Sequence, residues 1–308
     1  MPSAISSGAR IRGNASADNA YNALEASNRN IATRQLRLST GKRINSASDD
    51  VAGYITARSL GARTKSLNAA LGAIGDAGSV TNIAQDGLDN INSLLTQIKD
   101  AAASASSGSL GTDEKVALAQ SAYRLAQQIQ TVVDSTVFGG QQLLGGAFSA
   151  DFVIGSTASN TLLTVGVDLA TATNSTFAFD LRATTTGNFG GISGLNLSSL
   201  SSVSSTDLGI FSAANIKTTL ASVNDALENV NSTAAYLGGV SGRLTSQEDV
   251  LKSQVTNYNA ALSRIEDADV AKEQLELSRA QFLQQASITS LSQANQAPQA
   301  FLQLIGGR

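Results

Sequence analysis

The sequence predicts a mainly α protein built as a long helical rod, with a small β-rich segment inserted centrally. Apolar residues recur at three- and four-residue spacing over long distances on both sides of the chain's middle. Only 5% of the 308 residues are aromatic, and much of the 42% hydrophobic content is alanine, which favours slim helix packing over a thick globular core. Between about Phe138 and Phe211, glycine, serine and threonine dominate and the helical spacing disappears.

Three helical segments are predicted before the central insert. The middle segment carries a second apolar line beside the first, so its stripe is wide enough to contact more than one partner helix. With the helix that follows the insert, we expect about four helices to pack lengthwise. The apolar positions are Tyr21, Leu24, Ile31 and Leu38 in the first segment, Leu67, Leu71, Ile74, Leu88 and Leu95 in the second, and Leu118, Ala122, Leu125, Ile129 and Val132 in the third.

The central insert contains three short runs of alternating apolar residues, DFVIGS, TLLTVGV and STFAFDLRA. Such runs between turn-forming residues predict β-strands. The low-complexity stretch that follows, GISGLNLSSLSSVSSTDLG, predicts a loop, in which Asp207 is placed to cap the next helix, as is Ser212 just beyond it. Because helical segments flank the insert on both sides, we expect it to project from one end of the rod.

The longest periodic segment runs from Ile216 to Ile265. Roughly fifty residues in one register make a helix about 75 Å long, far more than a compact domain needs. The register weakens at Gly238 and Gly239 and again at Glu248, where we expect a bend or a frayed seam. This length is the main argument for a rod.

Residues 270 to 305 are helical by propensity and apolar around most of the helix, with Pro298 as the only breaker. That apolar surface exceeds what a free monomer buries against the thin, polar N-terminal segment, so we expect association with other copies. The residues expected to form this assembly seam are Tyr21, Leu24, Ile31, Leu38, Leu251, Val255, Tyr258, Leu262, Ile265, Leu275, Phe282, Leu283, Ile288, Leu291, Phe301 and Leu302.

Composition excludes several classes of function. The chain has no cysteine and no histidine, which removes disulfides, thiol nucleophiles, Cys/His zinc sites and the usual proton shuttle. We therefore expect no enzyme activity, no cofactor and no metal. With 21 basic and 24 acidic residues there is no basic footprint for nucleic acid. We also expect no membrane span and no ordinary signal peptide, because no sufficiently apolar run is present.

Two adjacent aspartates, Asp49 and Asp50, close the glycine- and serine-rich stretch LSTGKRINSASDDVAG. One interpretation is a metal or acid/base carboxylate pair. The other is a helix cap, in which a carboxylate accepts backbone N–H groups and favours the positive end of the following helix. The sequence offers no histidine, cysteine or third convergent acid nearby, which favours the cap.

A second charged cluster, SRIEDADVA, places Arg264, Glu266, Asp267 and Asp269 close together. Cation coordination is one interpretation. The cluster lacks the glycine of an EF-hand loop and is expected to lie on a helix, so a charge network between helices or subunits is favoured.

Three stretches resemble the bacterial flagellins: LSTGKRINSASDDVAG near the start, TVFGGQQLLGG before the insert, and SRIEDADVAKEQLELSRAQFLQQASITSLSQANQAPQAFLQL at the end. The resemblance covers about residues 14 to 150 and 212 to 305. It implies a long antiparallel rod with coiled-coil terminal helices. The implied domains are inner-tube helices at 1–45 and 262–308, a helical rod with a β-hairpin at 46–165 and 210–261, and a small variable outer segment at 166–209.

The resemblance also implies a function and its partners. Flagellins are exported unfolded through the flagellar type III apparatus with an export chaperone, without a cleaved signal peptide. They assemble outside the cell with other copies into the helical filament that acts as a propeller, and they meet hook-associated junction and cap proteins. In this chain, Gly41 and Asn45 would permit turns in the connector between inner tube and rod, and Ser48, Asp49 or Asp50 would cap the next helix.

The sequence leaves three alternatives to a filament subunit. A hook–filament junction protein shares the terminal pattern, and some flagellin-like proteins bind polysaccharides or receptors at cell surfaces. The central insert has few aromatic residues for stacking on sugars, only Phe177, Phe179 and Phe189. Some flagellins carry a metalloprotease in this insert, but that site needs His-Glu-x-x-His and this chain has no histidine.

Many flagellins are recognised by a Toll-like receptor through a helical patch that reads Leu-Gln-Arg-Val-Arg-Glu-Leu. The equivalent stretch here is LTQIKDA. Gln97 and Lys99 replace the two arginines, Asp100 the glutamate and Ala101 the second leucine. Loss of the guanidinium and of an apolar anchor predicts weak receptor binding.

Overall fold

The computed structural model describes residues 14–156, 162–170, 177–182, 189, 192 and 194–306, of which 156, 162 and 297–306 are described by their backbone alone. Long helices dominate it, and two small antiparallel sheets complete it. This confirms the predicted fold class. The helices are α1 (Ala15–Thr40), α2 (Val51–Ala105), α3 (Thr112–Ser135), α4 (Leu197–Ser201), α5 (Ile216–Glu266) and α6 (Val270–Gly306), and the strands are β1 (Val137–Phe138), β2 (Gln141–Gln142), β3 (Ser149–Ser156) and β4 (Leu162–Asp168).

The chain forms two compact units. Unit 1 consists of the described parts of residues 1–64 and 256–308, and unit 2 consists of those of residues 65–255. Unit 1 therefore contains α1, the first turns of α2, the end of α5, and α6. Unit 2 contains α3, α4, both sheets and the remainder of α2 and α5.

In unit 1, α1 and α6 pair in antiparallel fashion. Asn14 Nδ2 donates to the carbonyl of Ala294 (2.7 Å), and Gln284 Nε2 donates to Asn28 Oδ1 (2.6 Å), so rising numbers on one helix meet falling numbers on the other. The covered positions of α6 alternate by four and three residues, which is the heptad spacing of a coiled coil. They are Glu273, Leu277, Ala280, Gln284, Ser287, Leu291 and Ala294.

Unit 2 has its own apolar core. Within it α2 and α5 run antiparallel, since Asn92 Nδ2 donates to Asn231 Oδ1 at 2.8 Å and Gln85 lies beside Gly238. α5 is helical without interruption through the Gly238 region and Glu248. The frayed seam expected at these two places is absent, because buried side chains flank each of them. The flanking residues of α5 are Leu237, Val240, Leu244 and Leu251.

Both sheets are two-stranded hairpins. β1 and β2 are joined by Gly139 and Gly140, whose φ angles of +59° and +83° suit the tight turns that match the strand twist. β3 and β4 pair from Ser149↔Asp168 to Ser156↔Leu162, with an irregularity between Val153 and Gly155. The first two predicted strands are thus confirmed.

The third predicted strand, in STFAFDLRA, is wrong for its described residues 177–182, which form no strand. Their backbone is satisfied elsewhere: the N–H of Phe179 donates to the Leu144 carbonyl (3.0 Å), and that of Leu181 donates to Gln130 Oε1 (2.8 Å). The apolar side chains of this run are buried in unit 2, so its alternation reflects docking onto α3 and the β1–β2 region.

Three smaller expectations need correction. The stretch expected to be loop contains α4, which begins because Asn196 Oδ1 accepts from the N–H of Ser199 (2.7 Å) and Leu200 is buried. The cluster SRIEDADVA does not lie on one helix: α5 ends at Glu266 and α6 begins at Val270. Pro298 does not end α6, which continues to Gly306.

Candidate assembly site

The residues expected to form one assembly seam divide between covered and exposed positions. Leu24, Ile31, Leu38 and Leu291 are half-buried where α1 and α6 pair. Tyr21, Leu275, Phe282, Leu283 and Ile288 are exposed. Tyr258, Leu262 and Ile265 are half-buried near the end of α5, whereas Leu251 is buried and Val255 half-buried in unit 2. The side chains of Phe301 and Leu302 lie outside the described residues.

The exposed apolar face of α6 centres on Leu275 and Phe282. These residues are one heptad apart and therefore lie on the same side of the helix, roughly opposite Leu277 and Ala280, which are buried. Leu275 is 65% exposed and Phe282 is 70% exposed. Burying such side chains completely stabilises an association by about 1.5–3 kcal/mol each. This face is available for contact with another protein surface.

The connector between α1 and α2 is held against the break between α5 and α6. α1 ends at Gly41, whose φ of +68° is the left-handed conformation that glycine adopts without strain. The N–H of Arg43 then donates to the Glu266 carbonyl (2.6 Å), and that of Ala268 donates to the Gly41 carbonyl (2.9 Å). Lys42 Nζ lies 2.7 Å from Glu266 Oε1. The second charged cluster thus pairs with the connector.

The two aspartates of the connector bind different backbone groups. Asp49 Oδ2 accepts from the N–H groups of Ser46 (2.9 Å) and Asn45 (3.1 Å), and these hydrogen bonds lower the pKa of its carboxyl group. Asp50 Oδ1 accepts from the N–H of Gly53 (2.9 Å), which caps α2. The hydroxyl of Ser48 pairs with that of Ser46 instead of with the helix.

Sequence reasoning missed the apolar anchor of the connector. Ile44 is 2% exposed, and its Cδ1 would lie 2.6 Å from a Cβ placed on Gly53. Arg43 adds a hydrogen bond from its guanidinium to the Ile265 carbonyl (2.7 Å). The signal was present, because Ile44 is the only large apolar residue between Gly41 and Asp50. Asn45 Nδ2 closes the turn by donating to the Lys42 carbonyl (3.0 Å).

The stretch aligned with the receptor patch lies on α2 in unit 2. Gln97 and Asp100 are exposed, and Lys99 and Ala101 are half-buried. The neighbouring Ile98 is buried. The side chains of Gln97 and Asp100 are therefore accessible, and those of Lys99 and Ala101 are partly accessible.

Both terminal regions of the chain are similar to known proteins. Residues 11–149 match the N-terminal helical region of bacterial flagellin, and residues 220–305 match its C-terminal helical region. The flagellin of Bacillus subtilis (strain 168) is 31% identical over 96% of this chain and 99% of its own length. The chain belongs to the bacterial flagellin family. The flagellin of Halalkalibacterium halodurans is 29% identical over 87% of this chain and 89% of its own.

As a flagellin, the chain is a structural subunit of the flagellar filament, an extracellular appendage built by self-assembly. A solved Vibrio parahaemolyticus structure described as a flagellar hook-associated protein has a TM-score of 0.55 to this flagellin, with 14% identity, over 71% of this chain and 100% of that one. At this identity the likeness concerns the fold alone. Within the described part of the chain, no helix is both long and apolar enough to cross a bilayer.

Proposed function

We propose that this flagellin polymerises through the exposed apolar face of its terminal helix pair, and that the connector holds that pair to the rest of the subunit. The observation that carries the proposal is the 70% exposure of Phe282, together with Leu275 one heptad before it. A free monomer gains nothing from presenting these side chains to water, whereas a neighbouring subunit that covers them removes apolar surface from solvent.

We also propose a division of the chain into three parts. Inner-tube helices at 1–45 and 262–308 would meet across the α1–α6 pairing, and the connector would lead to a rod at 46–165 and 210–261. Residues 166–209 would be the small outer segment. The hydrogen bonds between the connector and the α5–α6 break support a joint at this point. They hold the two chain segments side by side where α1 ends and α6 begins.

Further partners follow from membership of the family. We propose export as an unfolded chain by the type III apparatus with its chaperone, without a cleaved signal peptide. Contact with hook-associated junction and cap proteins would follow at the filament ends, and Toll-like receptor recognition would be weak. The subunit would work mechanically, without catalysis. Sugar stacking is disfavoured, because the rings of Phe177, Phe179 and Phe189 are buried.

The assembly face is tested by the double variant Leu275→Gln with Phe282→Gln. Both residues are exposed in the subunit, so the substitutions should leave its helicity and melting temperature unchanged. Polymer formed on addition of a kosmotropic salt, measured by sedimentation and negative-stain imaging, should fall at least tenfold, since losing about 1.4 kcal/mol of contact energy per subunit changes an equilibrium constant tenfold.

The matched control is Gln281→Ala with Gln285→Ala, which changes two exposed residues of the same helix without removing large apolar side chains. It should polymerise like the unaltered chain. If the Leu275 and Phe282 double variant forms long filaments at the unaltered concentration, this face does not drive assembly. If the unaltered chain stays monomeric, a junction or surface-binding role gains support.

A further inference from the structure

A charged cluster lies inside the seam between α1 and α6. Glu273 has a side chain only 7% exposed, and its two oxygens face two arginines of α1. Arg34 lies 2.7 Å from one oxygen, and Arg37 lies 3.5 Å from the other. Arg37 Nε is buried without a hydrogen-bond partner in the described structure. Three charges thus occupy a seam where apolar residues would pack more simply.

Such a cluster is a weak source of stability. Removing charges from water is costly, and replacing a buried ion pair by well-packed apolar residues is often neutral or stabilising. The loss of one partner, in contrast, leaves a buried charge uncompensated and is strongly destabilising. The cluster therefore discriminates between arrangements in which the charges meet and arrangements in which they do not.

The small and apolar positions of the seam discriminate poorly. The polar contacts at its ends, Asn14 with Ala294 and the connector with residues 266–268, are specific to one register, but each contributes less than a buried charge left unpaired. Several covered positions carry small or polar side chains, such as Ser27, Ala280 and Ser287, and the larger ones repeat at heptad spacing. A shift by one heptad, about 10 Å along the axis, therefore preserves the kind of contact made. In one direction this shift brings Ala280 opposite Arg34. In the other direction it brings Glu273 opposite Ser27. Either shift separates the charges.

We propose that Arg34, Arg37 and Glu273 fix the register of the α1–α6 pair. The inference rests on the proposed assembly function and deepens it: register determines where the face of Leu275 and Phe282 lies along α1. A helical polymer needs every subunit to present that face identically, because each contact repeats. These three residues are positioning residues that set the geometry of the assembly surface without touching the neighbouring subunit.

The test uses the absence of native cysteine, which makes two introduced cysteines the only labelling sites. Asn30→Cys and Ser292→Cys are exposed, lie outside the cluster and are offset along the pair, so a heptad shift changes their separation by several Å. Spin labels attached to both cysteines give the intrachain distance by double electron–electron resonance spectroscopy. Labelled chains are diluted into an excess of unlabelled, unaltered chains during polymerisation, so that distances between subunits do not contribute.

Two variants are compared in this labelled background. The apolar variant combines Arg34→Met, Arg37→Met and Glu273→Leu, and the charge-reversed variant combines Arg34→Glu, Arg37→Glu and Glu273→Arg. We expect the unaltered and charge-reversed chains to give one shared distance. The apolar variant should melt at the same or a higher temperature as a monomer, yet give several distances in the polymer or be excluded from it.

The proposal is overturned if the apolar variant enters the polymer fully with the unaltered single distance, or if the charge-reversed chain behaves like the apolar one. A broad distance distribution in the unaltered chain would also overturn it. These outcomes are distinct from failure of the assembly face, because Leu275 and Phe282 are unchanged in every chain compared.

Discussion

At the scale of single residues, neighbouring side chains of the same chemistry perform different tasks. Asp49 binds backbone N–H groups that precede it and closes the connector turn. Asp50 binds an N–H group that follows it and begins α2. Both use the carboxylate as a hydrogen-bond acceptor, and these two backbone contacts account for the adjacent pair of acids.

From the lowered pKa of Asp49 we predict that its contribution to the stability of the fold is lost in acid. Its backbone hydrogen bonds from Ser46 and Asn45 favour the charged form, so the folded pKa lies below the ordinary value of about 3.9. The resulting stabilisation is present above about pH 4 and is lost as pH falls through the folded pKa. Asp49→Asn should therefore lower the melting temperature by a few °C at about pH 5 and by less at about pH 3.

Circular dichroism melting of the monomer at the two pH values measures this difference. Other carboxylates titrate in the same range, so the comparison is between the variant and the unaltered chain at each pH. Asp225→Asn, at an exposed acid on α5 in unit 2, serves as a control for general charge loss. A deficit of equal size at both pH values would contradict the assignment.

At the scale of elements, the connector and the start of α2 form a tight junction. Gly53 sits where a Cβ would lie 2.5 Å from Asp50 Oδ2 and 2.6 Å from Ile44 Cδ1. Neither neighbour moves cheaply, because Asp50 caps the helix and Ile44 is buried. The absence of a side chain at this position allows the connector to dock.

Two glycines of α2 should therefore respond oppositely to alanine. Gly53→Ala should destabilise the monomer by about 1–3 kcal/mol, as overpacking does. Gly61→Ala adds a Cβ with nothing within 4 Å and should stabilise it by up to about 1 kcal/mol through helix propensity. Urea unfolding of each monomer measures both changes. Stabilisation by both substitutions would show that the junction yields to the added methyl group.

At the scale of the whole molecule, the proposed assembly face and the receptor-patch residues belong to different compact units. Leu275 and Phe282 belong to unit 1, and Gln97 belongs to unit 2. Substitutions in separate compact units that share no contacting residue are expected to contribute independently to free energies. Assembly and recognition by a receptor should therefore be separable by mutation.

We expect purified monomer to activate receptor-expressing reporter cells weakly, and Leu275→Gln with Phe282→Gln to leave that response unchanged. Gln97→Arg restores the guanidinium that the recognised patch carries, and it should raise the response about tenfold or more, the effect of one good interfacial contact. Gln97→Lys is the matched control, since it adds charge without a planar bidentate donor. Strong activation by the unaltered monomer would contradict the expected weak recognition.

Several features were determined by the sequence alone. The apolar spacing predicted the long helices, including α5 from Ile216 to Glu266, and the alternating runs predicted β3 and β4. The terminal motifs identified the family. These features depend on local spacing and on residue types, which the linear order of residues contains in full.

Only the tertiary structure decided which residues of a periodic stripe are covered. Leu24 and Ile31 are partly covered where α1 meets α6, whereas Tyr21, Leu275 and Phe282 face solvent. It also decided that residues 177–182 dock without forming a strand and that Asp267 pairs with the connector. The physical reason is that spacing defines a face, but a partner helix or a competing backbone hydrogen bond selects which face is buried.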